Sequence, residues 1–372
     1  MIRLASPFPT WHSRCPLGSA TLAPAQIAGI LDGDGSFALD VSRGSDGRVR
    51  ARPRVGLFMR DDDPTPFAVW QTIRTRRGRA IGRISWTPPY RRNAWTVESI
   101  DEVVALTDWL ADTPPISPRG YRQFASLRET ALILGQAARG SRRGRVVVPN
   151  GDRARIAELQ AGMPRREPAY APLPAAPTML DSTEEAFGWG LSGLIAAEGY
   201  FGVKSERGRY APVFALSQRI DNRELLVGIC ERVRIGTVEE TPATLRSCPQ
   251  SWWIVRRQDD CLALVAHLRR YPLPPSSPKA RQLPLWAEAL GIHTTRSRLR
   301  RVADKARLAE LHALVKEAKG YAGPRLLCAC PAPEPDAPLP PDAPPAVSPS
   351  VGPGENDASA ARNTAWISGS IR

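Results

Sequence analysis

No apolar run in this sequence reaches the roughly 18 residues needed to span a bilayer, which argues against a membrane-embedded chain. The opening Met1-Ile2-Arg3-Leu4, followed by Pro7, Pro9 and His12, also lacks the apolar core of a signal peptide, so the expected location is cytoplasmic. Cysteine and histidine are scarce, at six and four in 372 residues. Cys15, Cys230, Cys248 and Cys261 are scattered without CxxC spacing, and Cys328 with Cys330 form only a lone CxC. That pattern does not make a zinc module, and reduced structural thiols are the expectation. Acidic residues are in deficit: 37 Asp and Glu against 51 Lys and Arg leave a formal charge of +14 and a pI near 10.1. Such a surplus favours a polyanionic partner, and without a membrane span nucleic acid is favoured over a lipid surface. What is present is 42% apolar residues in a chain long enough for two compact units.

Duplication organises the sequence. Ile27-Ala28-Gly29-Ile30-Leu31-Asp32-Gly33-Asp34-Gly35 and Leu191-Ser192-Gly193-Leu194-Ile195-Ala196-Ala197-Glu198-Gly199 share one pattern: an apolar helix with small residues, an acid at its last turn, then glycine. Downstream matches follow at an offset drifting only from 164 to 157: Asp34 with Glu198, Pro53 with Pro212, Asp62 with Asp221, Gly78 with Gly236, Trp95 with Trp253, Asp101 with Asp259, Leu110 with Leu268 and Pro115 with Pro272. Alternation at Phe37, Leu39 and Val41, a turn at Gly44 to Gly47, and alternation at Val55, Leu57 and Met59 predict a hairpin after the first helix. Helices are predicted from Pro66 to Ile73 and from Ile100 to Leu110, with two strands between them ending at Trp95-Thr96-Val97. The second copy repeats this order, with helices from Arg223 to Val233 and from Asp259 to Leu268. The expected fold class is α+β: two pseudo-symmetric αββαββα units, each an antiparallel sheet backed by helices. Trp95 and Trp253 alternate with apolar strand residues and are expected in the core.

The expected organisation is an N-terminal extension over 1–19, a first unit over 20–138, a basic linker over 139–181, a second unit over 182–292, a helical extension over 293–323 and a tail over 324–372. The linker carries Arg142, Arg143, Arg145, Arg165 and Arg166 among Pro, Gly and Ala. The tail is Pro-, Ala- and Ser-rich and cannot build a core.

Gly29 with Gly33, and Gly193 with Ala197, lie one helical turn apart, a spacing that lets two helices approach closely. Packed side by side and parallel, the helices would bring Asp34 and Glu198 together at one end. Two like charges there repel, and each also meets the negative end of a helix dipole. A hard divalent cation reverses both penalties, with the carboxylates and the backbone carbonyls of Gly33 and Ala197 as oxygen ligands, and Mg²⁺ or Mn²⁺ is the expected cofactor. Gly35 and Gly199 are expected to end each helix in the left-handed conformation. Asp32 has Ala196 as its counterpart and reads as a structural group. Strand alternation places Arg50, Arg52, Arg54 and Arg60 on the sheet face opposite the helices, with Arg207, Arg209, Arg219 and Lys204 on the matching face of the second unit. Arginine suits both phosphate pairing and guanine readout, so double-stranded DNA is the expected partner.

The two signature helices, with matching ladders behind them, resemble the LAGLIDADG homing endonucleases over about residues 20–135 and 182–292. The resemblance implies a monomeric, pseudo-twofold fold whose paired sheets form a DNA-binding saddle. It further implies Mg²⁺-dependent double-strand cleavage of a long, weakly palindromic site, with one essential acid per repeat at Asp34 and Glu198. It also implies a polar residue near the metal at the end of each unit's second strand: Gln218 fits in the second unit, whereas Met59 stands there in the first. A basic residue is implied in the cleavage pocket, and Lys279 and Arg119 match one another without fixing which serves. A maturase that binds structured intron RNA and a non-catalytic DNA-binding regulator are the alternatives on the same fold.

Overall fold

Apolar periodicity sets the element order. In the computed structural model, which describes residues 21–43, 49–60, 63–87, 92–139, 148–163, 179–206, 209–243, 248–294 and 302–319, the first unit runs α1 (Pro24–Gly33), β1 (Gly35–Arg43), β2 (Val49–Arg60), α2 (Thr65–Thr72), β3 (Arg83–Thr87), β4 (Arg92–Val97), α3 (Ile100–Trp109), α4 (Pro118–Arg139). The second runs α6 (Glu184–Glu198), β5 (Gly199–Glu206), β6 (Arg209–Arg219), α7 (Arg223–Val233), β7 (Thr237–Thr241), β8 (Gln250–Val255), α8 (Gln258–Arg270), α9 (Pro278–Thr294). Each unit is therefore the expected αββαββα with a further helix, α4 or α9. Both sheets are antiparallel, in the orders β1-β2-β4-β3 and β5-β6-β8-β7. The hairpin turn expected at Gly44 to Gly47, the N-terminal extension, the tail and the Cys328–Cys330 pair lie outside the described residues. No described helix is long and apolar enough to cross a membrane.

The registers make the repeat exact where the sequence ladder was approximate. Gly35 pairs with Leu57 and Leu57 with Trp95; in the second unit Gly199 pairs with Leu216 and Leu216 with Trp253. Both tryptophans are fully buried, donating from Nε1 to the carbonyls of Ile81 and Ile235 at 2.9 and 2.8 Å. Each of those carbonyls precedes a glycine at φ +77°, Gly82 or Gly236, where an added Cβ would lie 2.7 Å from the indole nitrogen. Gly82, not Gly78, is thus the counterpart of Gly236. Gly78 has its own positive φ in the exposed turn between Arg74 and Ala80, with open space around it.

Two further corrections concern turns and linkers. Gly199 has φ −66° and ψ 151°, and Gly35 is not among the positive-φ residues, so neither ends its helix in the left-handed form. The chain passes straight from helix to strand, and a Cβ on Gly35 or Gly199 would fall 2.2 or 2.5 Å from the carbonyl oxygen of Leu31 or Ile195. Close approach to the preceding turn, rather than φ, requires glycine there. Within the span read as linker, Asn150–Gly162 forms a helix, α5, because Ile156 joins Leu134 and Val148 in a buried apolar cluster and Leu159 is also buried, while Gln160 donates to the Leu39 carbonyl at 3.2 Å. After α9, Val302–Lys319 forms α10, whose Leu308, Leu311 and Val315 are buried in the main core.

The two units join through α1 and α6. Gln26 donates to Ser192 at 3.2 Å, an added Cβ on Gly29 would lie 2.1 Å from the carbonyl oxygen of Gly190, and one on Gly193 would lie 2.0 Å from that of Gln26. One turn further, a Cβ on Gly33 would meet the Ala197 Cβ at 2.5 Å. The contacts advance together along both helices, so the helices are parallel and in backbone contact. Gly29→Ala and Gly193→Ala must each force them apart, with an expected loss of about 2–3 kcal/mol of unfolding free energy. Denaturant melts check this; variants as stable as the parent would show that the helices do not meet this closely.

Candidate active site

Parallel packing fixes where the acids emerge. Asp34 is the C-cap of α1 and Glu198 the last residue of α6, and a Cβ on Gly33 would lie 3.1 Å from the Glu198 Cγ. Both acids keep some surface open, yet protein crowds them enough to penalise charge. Desolvation first, then the charge of Asp63, raises Asp34 to about 6, with Lys279 opposing. Desolvation first, then Asp34, raises Glu198 to about 8, again against Lys279. Lys279 is itself pushed below the usual lysine range by desolvation, while Asp34, Glu198 and Asp63 pull it back up. Four ionisable groups from both units therefore share one field.

Lys279 reaches this place from the first turn of α9, where the hydroxyl of Ser277 accepts from its backbone N–H at 3.2 Å. The same Ser-Pro-basic triplet opens α4: Ser117-Pro118-Arg119, with Ser117 accepting from Gly120 at 2.9 Å. Arg119, however, faces Asp221 of the second unit at 3.4 Å, and Asp221 is also held by Arg219 at 2.8 Å. The two basic residues thus have different surroundings: Arg119 meets Asp221, just before α7, and Lys279 lies in the field of Asp34, Glu198 and Asp63, the last just before α2. Asp63 is buried and accepts from the Thr65 N–H at 2.9 Å, whereas Asp62, matched with Asp221 in the sequence, lies outside the described residues. Asp63 was not singled out in the sequence. Its signal was the position just before an α2 that begins one residue earlier than predicted.

The remaining sequence candidates divide. Asp32 accepts from the Ser117 N–H at 2.6 Å and from its hydroxyl, tying the end of α1 to the start of α4, and burial pushes it up to about 6. Gln218 lies on the helix-side face and accepts from Asn222 at 3.0 Å; Met59, at the same register position, packs against the core. Arg52 and Arg60 are exposed on the outer face of the first sheet, with Arg54 beside Asp40 at 3.3 Å. The Arg50 side chain and all of Arg207 lie outside the description. The second outer face does not match the first. Its inner strands carry Val213, Ala215, Trp252 and Ile254, a buried apolar cluster joined by Tyr200, because Val213 stands where β2 holds Arg54, and Trp252 and Ile254 stand where β4 holds Ala94 and Thr96. Arg209 is exposed at the strand end, Arg219 is committed to Asp221, and Lys204 is lowered by desolvation and by nearby Arg256.

Among the described residues no group of three His, Cys, Asp or Glu side chains converges as a metal cluster. What exists is an oxygen-donor pair, one acid from each unit, beside a cation.

No protein-family model matches the sequence, and no curated protein does. Structural likeness is far-reaching. The LAGLIDADG homing endonuclease I-GzeII in complex with its DNA target aligns with TM-score 0.61 at 14% identity, over 78% of this chain and 97% of that one. I-LtrWI bound to target DNA gives 0.61 at 15%, covering 78% and 96%. I-SmaMI bound to uncleaved DNA target in the presence of calcium ions gives 0.59 at 15%, covering 79% and 98%. Agreement across nearly the full length of those proteins identifies the chain's architecture as the two-repeat LAGLIDADG homing endonuclease fold.

Proposed function

We propose that the protein is a site-specific double-stranded DNA endonuclease that hydrolyses a long, weakly palindromic site with a divalent cation, Mg²⁺ or Mn²⁺, held by Asp34 and Glu198. The observation that carries this reading is the crowding of one acid from each repeat at a single point, where burial and the charge of Asp34 raise the affinity of Glu198 for a proton, and burial and Asp63 raise that of Asp34. Folding has no need of such a pair, since like charges at the ends of parallel helices are unfavourable on two counts. The donor set fits a hard cation: two carboxylates, with the Gly33 and Ala197 carbonyls at the same helix ends, and phosphate oxygens and water to complete the coordination. When bound, the cation neutralises charge on the scissile phosphate and acidifies water. The chain's own residues do the rest. Lys279 offsets negative charge beside both acids and can donate to a phosphate oxygen, Gln218 orients solvent near Glu198, and Arg52, Arg54 and Arg60 hold the backbone of the duplex in register.

Asp34→Asn and Glu198→Gln are each expected to reduce cleavage by at least about a hundredfold while leaving duplex affinity within a few-fold. The substrate is a site selected by cleavage from a randomised duplex pool; cutting that persists in both variants contradicts the assignment. Lys279→Met should slow single-turnover cleavage by about a hundredfold. Arg119→Met should slow it much less, because Arg119 faces Asp221 and not the acid pair.

The acid pair also sets a pH dependence that needs no DNA. Folding raises both acids above their ordinary values of 3.8 and 4.5. The folded chain therefore binds more protons than the unfolded one, and its stability falls as pH rises from about 4 to about 8. In EDTA at pH 8, Glu198→Gln should melt roughly 5 °C above the parent. Mn²⁺ should narrow that gap by stabilising the parent alone. A variant that melts lower, or a gap that ignores Mn²⁺, would count against the shared site.

A further inference from the structure

Among the described residues, the outer face of the first sheet carries one large apolar side chain among its arginines. Phe58 is 38% exposed, on the same face of β2 as Arg52, Arg54 and Arg60. Its ring lies back over Gly56, where an added Cβ would sit 2.5 Å from a ring carbon, so glycine is the residue that lets the ring lie along the strand. Across the sheet its row continues with Ala94 and Ser85, both small. The ring therefore stands on a low platform rather than in a pocket, five residues before Asp63 and at the end of the strand that leads to the acid pair. The register position in the second unit is Ser217. Core packing does not account for Phe58: it belongs to none of the buried clusters, unlike Val55 and Leu57 on the other face.

Resting on the DNA-binding reading above, we propose that Phe58 is a specificity-determining residue that contacts the 5-methyl group of a thymine in the half-site bound by the first unit, near the centre of the target. In the major groove thymine alone presents a methyl group, and an apolar ring among phosphate-pairing arginines recognises it by desolvation, with no hydrogen bond to satisfy. The serine at the matching position makes this readout one-sided, so the two half-sites differ at this step although the fold is pseudo-symmetric.

The test is selection of bound duplexes from a randomised pool in EDTA, which prevents cleavage, followed by replacement of each selected thymine with uracil, which removes only the methyl group. For the parent, one thymine in one half-site should show about fourfold weaker binding as uracil. Phe58→Ser should bind the thymine and uracil duplexes equally and lose the preference for thymine at that position in its own selection. Parent protein indifferent to uracil throughout both half-sites overturns the proposal, as does a Phe58→Ser variant that keeps the discrimination. A uniform loss of affinity in the variant without any thymine effect overturns it too, in favour of a stacking or bending role. Failure of the DNA-binding reading itself has a different signature, no enriched sequence at all, and removes the proposal with it.

Discussion

Backbone contact between α1 and α6 is the constraint on which the structure depends. Glycines at 29, 33 and 193 leave no side chain between the helices at those points, and the carbonyls of Gly190 and Gln26 occupy the space that a Cβ would need. Two consequences follow from the same geometry. The units are locked in one relative orientation, reinforced by Gln26 and Ser192, which both donate to the Pro272 carbonyl at 2.8 and 2.9 Å. The residues that end the helices are also brought to one place, so Asp34 and Glu198 become neighbours although 164 positions apart in sequence. The interface that builds the fold and the one that assembles the candidate site are the same.

Electrostatics then set the direction of function. An isolated acid at a helix terminus is ordinary, but a buried pair in which the charge of Asp34 opposes ionisation of Glu198 is a standing cost, and Lys279 offsets only part of it. That cost, in a fold otherwise well packed, is what the proposed cation would relieve. The contrast with Asp221 is instructive: that acid is equally central but is neutralised by Arg119 and Arg219, and it needs no further partner. Pseudo-symmetry supplies matching positions, and substitutions between the copies turn one into a brace and leave the other facing the acids.

Much of this was legible in the sequence because the signals are local. Small residues at a one-turn spacing identify helices able to touch, and alternation fixes which strand face is buried, so the order of elements and the pairing of acids could be read directly. What was not legible depends on contacts between distant segments. Choosing Gly82 over Gly78 as the counterpart of Gly236 requires the Trp95 indole to be seen against the Ile81 carbonyl. Assigning Lys279 and Arg119 opposite neighbours requires the crossing of α9 and α4 over the interface, although the repeated Ser-Pro-basic triplet was a usable clue. Asp63 escaped because its place beside Asp34 and Lys279 is set by contacts between distant segments. Composition misled at α5, where Pro, Gly and Ala nearby outweighed the Ile156 and Leu159 that dock it. It misled again on the second sheet, where an arginine face was expected and Val213, Trp252 and Ile254 form a cluster instead.

The central claim is that the acids closing the twin helices share one cation. Anomalous scattering from crystals of the protein with Mn²⁺ and a bound duplex tests it most directly. The account predicts a manganese peak within bonding distance of carboxylate oxygens from both Asp34 and Glu198. Peaks confined to one of these acids, or found only elsewhere on the protein, would contradict it.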